Sequence, residues 1–209
     1  AGTRLSMLAN RAAEAGLSGL EPLAGIPGTV GGAAFVNAGA FGSSFLDLCE
    51  KVTGLDGQGL DSMFDATHSG YRSGGFPDGC VITDLQLSLV SGNPSRIHEL
   101  MHQYLERRWS TQPLSNASAG CTFKNPAGTG AGRLIDGLGL KGFQIGQAMI
   151  STQHANFIIN SGAATAVDVM EVIRHIRGRV FEASGIKLEL EVLVLDEHGV
   201  RQDPGGIFE

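Results

Sequence analysis

The sequence predicts an α+β protein, and three observations carry that prediction. Three segments show apolar residues at helical spacing, and three others alternate apolar with polar residues as strands do. The third is glycine: 31 residues, well above the usual ~7% share, without the period of collagen. That content points to many tight turns and to close approach of backbone to a ligand.

The first helix is expected over residues 4–15, where Leu5, Leu8, Ala9, Ala12 and Ala13 share a face and Gly16 is a stop. Strands are expected over 47–55 and 80–90, with Asp56-Gly57 as a turn signal between strand candidates. Pro94 suits the first turn of a helix over 94–108, and Ile97, Leu100, Met101, Tyr104 and Leu105 form its apolar side. Residues 113–126 read as a loop that presents Cys121, with Gly120 before it and Pro126 as a stop. A short helix opens at Ala131 and closes at Gly137 or Gly139, and short strands are expected at 147–151 and 156–160. Val169, Val172, Ile173, Ile176 and Val180 mark a helix over 165–183 ended by Gly185. Leu188–Leu195 alternates as a strand that puts Glu189 and Glu191 on one face. From Asp196 onward the chain reads as a polar, mobile tail.

The length allows one large domain or two small ones. A net charge of −6 without a basic run argues against a nucleic-acid binder. Three cysteines, Cys49, Cys80 and Cys121, form no CxxC pair, as expected for reduced thiols in a cytoplasmic protein. No apolar run reaches membrane-spanning length, about 18 residues, so no membrane partner is expected.

Four features can carry chemistry. Gly25, Gly28, Gly31 and Gly32, around Pro27 and Thr29, can turn backbone N–H groups into one concavity, as phosphate-binding nests do, and Thr29 can add a hydroxyl donor. The competing reading is a turn packed with small residues. The spacing fits neither a Rossmann fingerprint nor a P-loop. Arg72 lies in a glycine-flanked loop beside two aromatics, where a guanidinium can grip a carboxylate or a flavin edge, or simply be solvated. His98-Glu-Leu-Met-His102 is a literal HExxH, which on a helix can bind zinc, but no third ligand follows at a known spacing. Cys121 is a thiol that can give up a proton, with Lys124 and Asn125 beside it to hold an anion or amide; a buried structural Cys is the alternative.

Taken together and in order, several segments resemble one family. They are Gly25–Gly32 with Asn37-Ala-Gly39, Tyr71-Arg72, Ala119-Gly-Cys-Thr-Phe-Lys-Asn-Pro126, Gly139-Leu-Lys-Gly142, His154-Ala-Asn-Phe157 and Leu188-Glu-Leu-Glu-Val192. The chain from about residue 1 to 195 is similar to the UDP-N-acetylenolpyruvoylglucosamine reductases, the MurB family. The resemblance implies an FAD enzyme that uses NADPH to reduce UDP-N-acetylglucosamine enolpyruvate to UDP-N-acetylmuramate for peptidoglycan precursors. It implies part of a PCMH/VAO-like FAD-binding domain over 1–106, a MurB-type substrate domain over 107–200, and a tail over 201–209. The chemistry is then expected where the two domains meet.

By the same resemblance, Arg72 and Glu191 polarise the enol and Cys121, where the family usually has Ser, gives the proton. Gly25, Ile26, Pro27, Gly28, Thr29, Gly31 and Gly32 hold FAD, while Tyr71, Lys124 and Asn125 hold the UDP-sugar. No metal site is expected, and the protein is expected to be a monomer. Gly74 stands where the family has Ser, Leu190 where it has Pro, and no counterpart of the family's N-terminal FAD subdomain is expected within residues 1–209. A chain without that subdomain is expected to bind FAD poorly, and a non-catalytic homologue is the alternative function. A zinc hydrolase using His98, Glu99 and His102 is a more distant one.

Overall fold

The computed structural model describes residues 1–65, 69–199 and 201–202. Its chain divides into two units, Ala1–Arg108 and Trp109–Glu209.

The first unit opens with α1 (Leu5–Glu14), which buries Leu5, Ala9, Ala12 and Ala13 along one side, as its period requires. Gly16, left-handed at φ +69°, closes it. After β1 (Leu17–Ser18) the chain makes a single 3₁₀ turn over Glu21–Leu23. Glu21 is buried, and its carboxylate is satisfied locally, by the Ser18 hydroxyl and the Gly19 N–H, each at 2.6 Å. The short α2 (Val30–Phe35) is capped by Thr29, whose hydroxyl oxygen accepts the Gly32 N–H at 3.2 Å.

A two-residue hairpin, β2 (Gly39–Ala40) with β3 (Ser43–Ser44), follows. The centre of the unit is an antiparallel sheet in which β4 (Cys49–Leu55) lies between β5 (Asp61–Phe64) and β6 (Val81–Leu87). Both strands expected from alternation are present, shorter by a few residues. β5 is an addition: Asp56 accepts the Gln58 and Leu60 N–H groups and turns the chain back sooner than the pattern suggested. Gly54 permits the close pairing, since a Cβ there would collide with the Val81 carbonyl. β7 (Val90–Ser91) returns to pair with β1. Then α3 (Pro94–Thr111) buries Ile97 and Met101 against the core formed by Leu5, Leu23, Phe45 and Val52.

The second unit is a four-stranded antiparallel sheet packed on a long helix. Its elements are β8 (Ala117–Cys121), α4 (Ala131–Gly137), β9 (Gln144–Ile145), β10 (Ala148–Ile150), β11 (Phe157–Asn160) and α5 (Ala166–Ser184). The strand order is β8-β11-β10-β9. Val172, Ile173, Ile176 and Val180 of α5 bury against Phe123, Ile135, Ala148 and Ile150. Gly185 ends α5 as expected, and Thr165, read as its first residue, is its N-cap. Thr165 and Asp168 form a capping box, and Gly185 is left-handed at φ +72°.

Three expectations change. The segment leading to Cys121 is a strand, not a loop; its Gly/Ser/Ala residues carry no alternation, and only the non-local partner β11 makes it one. Leu188–Leu195 is not a continuous strand. Leu190 bridges Phe123 once, and regular pairing resumes only at β12 (Val194–Leu195), against β13 (Arg201–Gln202). The start of the expected mobile tail is therefore a hairpin, turned by Asp196 accepting the His198 N–H at 2.9 Å. Residues 203–209 of that tail lie outside the described residues.

Candidate active site

In the second unit the fold gathers residues that are far apart in sequence around one short segment, Cys121–Lys124. Cys121 ends β8 opposite Phe157, just after Gly120 at φ +87°. Thr122 and Phe123 are buried, so the backbone here needs hydrogen-bond partners. On one side the Thr122 N–H donates to the Asn156 carbonyl at 2.8 Å. The Asn156 side chain, only 3% exposed, takes the Phe123 N–H on its Oδ1 at 3.0 Å and donates from Nδ2 to the Phe123 carbonyl at 2.8 Å. On the other side the Glu191 N–H donates to the Thr122 carbonyl, and the Lys124 N–H donates to the Glu189 carbonyl, both at 2.9 Å. Of the two glutamates expected on one face, Glu189 is exposed and Glu191 half-buried. Lys124 Nζ lies 3.5 Å from the Glu189 carboxylate, a partly exposed pair worth little by itself.

Beyond this segment a groove of about 970 Å³ runs between the Asn125–Gly132 loop, α4 and the residues before β11. Asn125 Oδ1 accepts the Ala131 N–H at 3.0 Å, which ties the loop to the start of α4. Arg133, Lys141, Gln153 and His154 also line the groove. Lys141 pairs with Asp136 at 2.8 Å. His154 is held below its usual pKa, first by burial and then by the Lys141 charge. Its Nδ1 accepts the Asn156 N–H at 3.3 Å, the arrangement of a neutral ring.

In the first unit, Asn37-Ala-Gly39 and Tyr71-Arg72 come together. Asn37 is left-handed at φ +43°; it donates to the Gly70 carbonyl and accepts the Leu46 N–H, each at 3.1 Å. Arg72 is also left-handed, at φ +58°, a conformation rare outside glycine and asparagine. Its guanidinium lies 5.1 Å from the centroid of the exposed Tyr71 ring and close enough to Gly39 that a Cβ there would stand 3.0 Å from Nη1.

The glycine-rich turn differs from a simple nest. The Val30 and Gly31 N–H groups donate to the Thr3 and Ala1 carbonyls, and that of Gly32 to Thr29. The exposed part is Pro27-Gly28-Thr29, where Gly28 sits at φ +120° with nothing within 4 Å of a Cβ position. Ile26 and Gly25 are half-buried behind it, and a Cβ on Gly25 would press on Arg108.

The HExxH residues face outward on α3. Glu99 is paired with Arg96 at 2.6 Å, and His102 lies 3.5 Å from Glu106. Among the described residues no three His, Cys, Asp or Glu side chains cluster as around a metal ion.

Residues 1–60 match the FAD binding domain family, and residues 112–195 match the C-terminal domain of UDP-N-acetylenolpyruvoylglucosamine reductase. The chain is 44% identical to the reductase of that name from Trichlorobacter lovleyi, over 94% of this chain and 65% of that protein. It is 39% identical to the one from Magnetococcus marinus, over 98% of this chain and 67% of the relative. The crystal structure of MurB from Thermus caldophilus superposes with a TM-score of 0.81 at 44% identity, covering 91% of this chain and 69% of that one.

The chain belongs to the UDP-N-acetylenolpyruvoylglucosamine reductase family. It spans about two thirds of the length of these curated relatives, 65% and 67% of the two named. The two family matches fall one in each unit of the fold, and the α+β architecture agrees with the MurB structure. Among the described residues no helix is long and apolar enough to cross a membrane.

Of the residues expected from the sequence, Cys121, Lys124, Asn125 and Glu191 meet at one segment of the second unit, and Arg72 and Tyr71 lie in the first. Asn156 and Lys141 carry no role in the sequence motifs. Both stood inside motifs quoted for the resemblance, but burial and groove position are tertiary facts.

Proposed function

We propose that this chain is the catalytic body of an FAD-dependent UDP-N-acetylmuramate dehydrogenase, which uses NADPH to reduce a UDP-N-acetylglucosamine enolpyruvate. The observation that carries the reading is the Cys121–Lys124 segment, gripped between Asn156 and Glu191 beside a groove bearing cationic side chains. Residues 1–106 face the flavin and 107–200 the sugar nucleotide.

An exposed turn in the first unit supports flavin binding. Pro27-Gly28-Thr29 is exposed, and the missing Cβ at Gly28 lets a flat ring approach the backbone. Gly25, Ile26, Gly31 and Gly32 support that turn, and the Thr29 hydroxyl keeps a hydrogen to donate while its oxygen caps α2. FAD held there would supply the chemistry of hydride transfer, from NADPH to the β-carbon of the enolpyruvyl group.

Cys121 then gives a proton to the α-carbon, which completes addition of two hydrogens across the double bond. Arg72 and Glu191 polarise the carboxylate-bearing enol so that negative charge can collect there. Lys124, Asn125 and Tyr71 hold the sugar nucleotide. The groove cations Arg133 and Lys141 suit the pyrophosphate, which carries two negative charges and needs fixed partners. The protein acts as a monomer in the cytoplasm, where the three free thiols stay reduced.

The test uses the FAD-loaded protein and follows flavin absorbance. NADPH should bleach it, and UDP-N-acetylglucosamine enolpyruvate should restore it anaerobically with formation of UDP-N-acetylmuramate. A flavin that bleaches but is never reoxidised by the sugar overturns the reading.

A further inference from the structure

We propose that Asn156 is a positioning residue for Cys121, its buried amide standing in for a rung missing from the β8–β11 ladder. The inference rests on Cys121 as the proton donor of the reading above. The ladder pairs Cys121 with Phe157 and Ser118 with Ile159, and its register shifts between those pairs. Past Cys121 the chain leaves the strand, so ordinary pairing cannot hold Thr122 and Phe123. Asn156 supplies three bonds in its place, one from its backbone and two from its side chain, all on residues 122–123. A carboxamide is the side chain that offers one donor and one acceptor at the spacing of a peptide group. Both Phe123 groups it serves belong to a wholly buried residue and have no water to turn to.

The opposite edge is held by the Glu191 and Val192 N–H groups on the Thr122 carbonyl and by the Glu189 carbonyl on the Lys124 N–H. Removing the Asn156 carboxamide leaves this side held only by the backbone bond from the Thr122 N–H, and Cys121 is the residue next to the loosened stretch. A shift on the order of 1 Å at a proton donor can cost about 100-fold in rate.

The experiment compares Asn156→Ala, Cys121→Ala and the double variant in the FAD-loaded protein, with Asn156→Asp replacing the first if it fails to fold. Expected for Asn156→Ala is a fall of about 100-fold in kcat for sugar-dependent flavin reoxidation, with KM and the NADPH half-reaction nearly unchanged. The double variant should be no slower than Cys121→Ala, because a positioning residue has nothing left to position. Independently, the pH profile of iodoacetamide alkylation, read peptide by peptide by mass spectrometry, should change at Cys121 and not at Cys49 or Cys80. An unchanged Cys121 alkylation profile, or losses that multiply in the double variant, overturns the inference. If Cys121→Ala leaves sugar reduction intact, the proton-donor reading falls instead, and the alkylation profile alone decides whether Asn156 sets the Cys121 geometry.

Discussion

The Glu191 N–H and the Thr122 carbonyl meet at 2.9 Å, a contact across nearly seventy positions of sequence that sets Glu191 beside the segment carrying Cys121. Leu190 and Phe123 bridge just next to it. One local pairing thus brings the backbone of Glu191 to the residue that follows Cys121, although no regular strand forms there.

If Cys121 is the proton donor, Cys121→Ala slows sugar reduction by about 100-fold or more and leaves reduction of the flavin by NADPH intact. Cys121→Ser should retain the reaction. The fall in kcat at high pH, set by ionisation of a thiol whose free value lies near ~8.5, should move upward in the Ser variant because a hydroxyl does not ionise there. Stopped-flow absorbance of each half-reaction across pH 6–10 measures both, and an equal loss of the two half-reactions argues against the role.

Cys49 serves as an internal contrast. Burial pushes its thiol up to about 11, and Cys80 is raised as well, chiefly by burial. At pH 8, iodoacetamide should therefore leave Cys49 unmodified in the native protein and label it after unfolding in urea. Rapid native labelling of Cys49 would contradict the burial that its thiol environment implies.

Lys141 faces the groove while paired with Asp136. Lys141→Ala should raise KM for the sugar nucleotide about 10-fold, the worth of one charged hydrogen bond, and leave the NADPH half-reaction unchanged. Steady-state kinetics at fixed NADPH gives the answer; an unchanged KM would remove Lys141 from the substrate groove.

Gly146, between β9 and β10, is left-handed at φ +54°, and a Cβ there would collide with the Asp168 carboxylate. That carboxylate takes the Thr165 N–H at 2.9 Å and is held below its usual pKa, first by this bond. Gly146→Ala should cost more than the about 1–2 kcal/mol of left-handed strain alone, because the α5 cap must also shift. Urea unfolding of Gly146→Ala, Asp168→Ala and the double variant tests the coupling, which should appear as losses that do not add.

His154 and His175 are both held below their usual values, each chiefly by burial. The unfolded chain then binds a proton more tightly than the folded one, so stability is whole above the ordinary histidine value, about 6.5, and declines as pH falls below it. Urea midpoints at pH 7.5 and 5.5 should show a loss on acidification that is smaller in His154→Gln. An equal loss in both proteins would assign the effect elsewhere.

The sequence by itself determined α1, α3 and α5 to within a few residues, since their apolar periods and the glycine stops at Gly16 and Gly185 act over neighbouring residues. It also determined family membership, because motif order survives without any knowledge of contacts. The glycine turn was legible as a turn, but not that Thr3 and Ala1 would take two of its N–H groups. Only the tertiary structure decided that Ala117–Cys121 is a strand, that 188–192 is not, and that Asn156 holds the segment between Cys121 and Lys124. The physical reason is that a helix satisfies its backbone within itself. A strand edge must find its partners elsewhere in the chain; β8 found them in β11, and residues 122–123 just past it in Asn156 and Glu191.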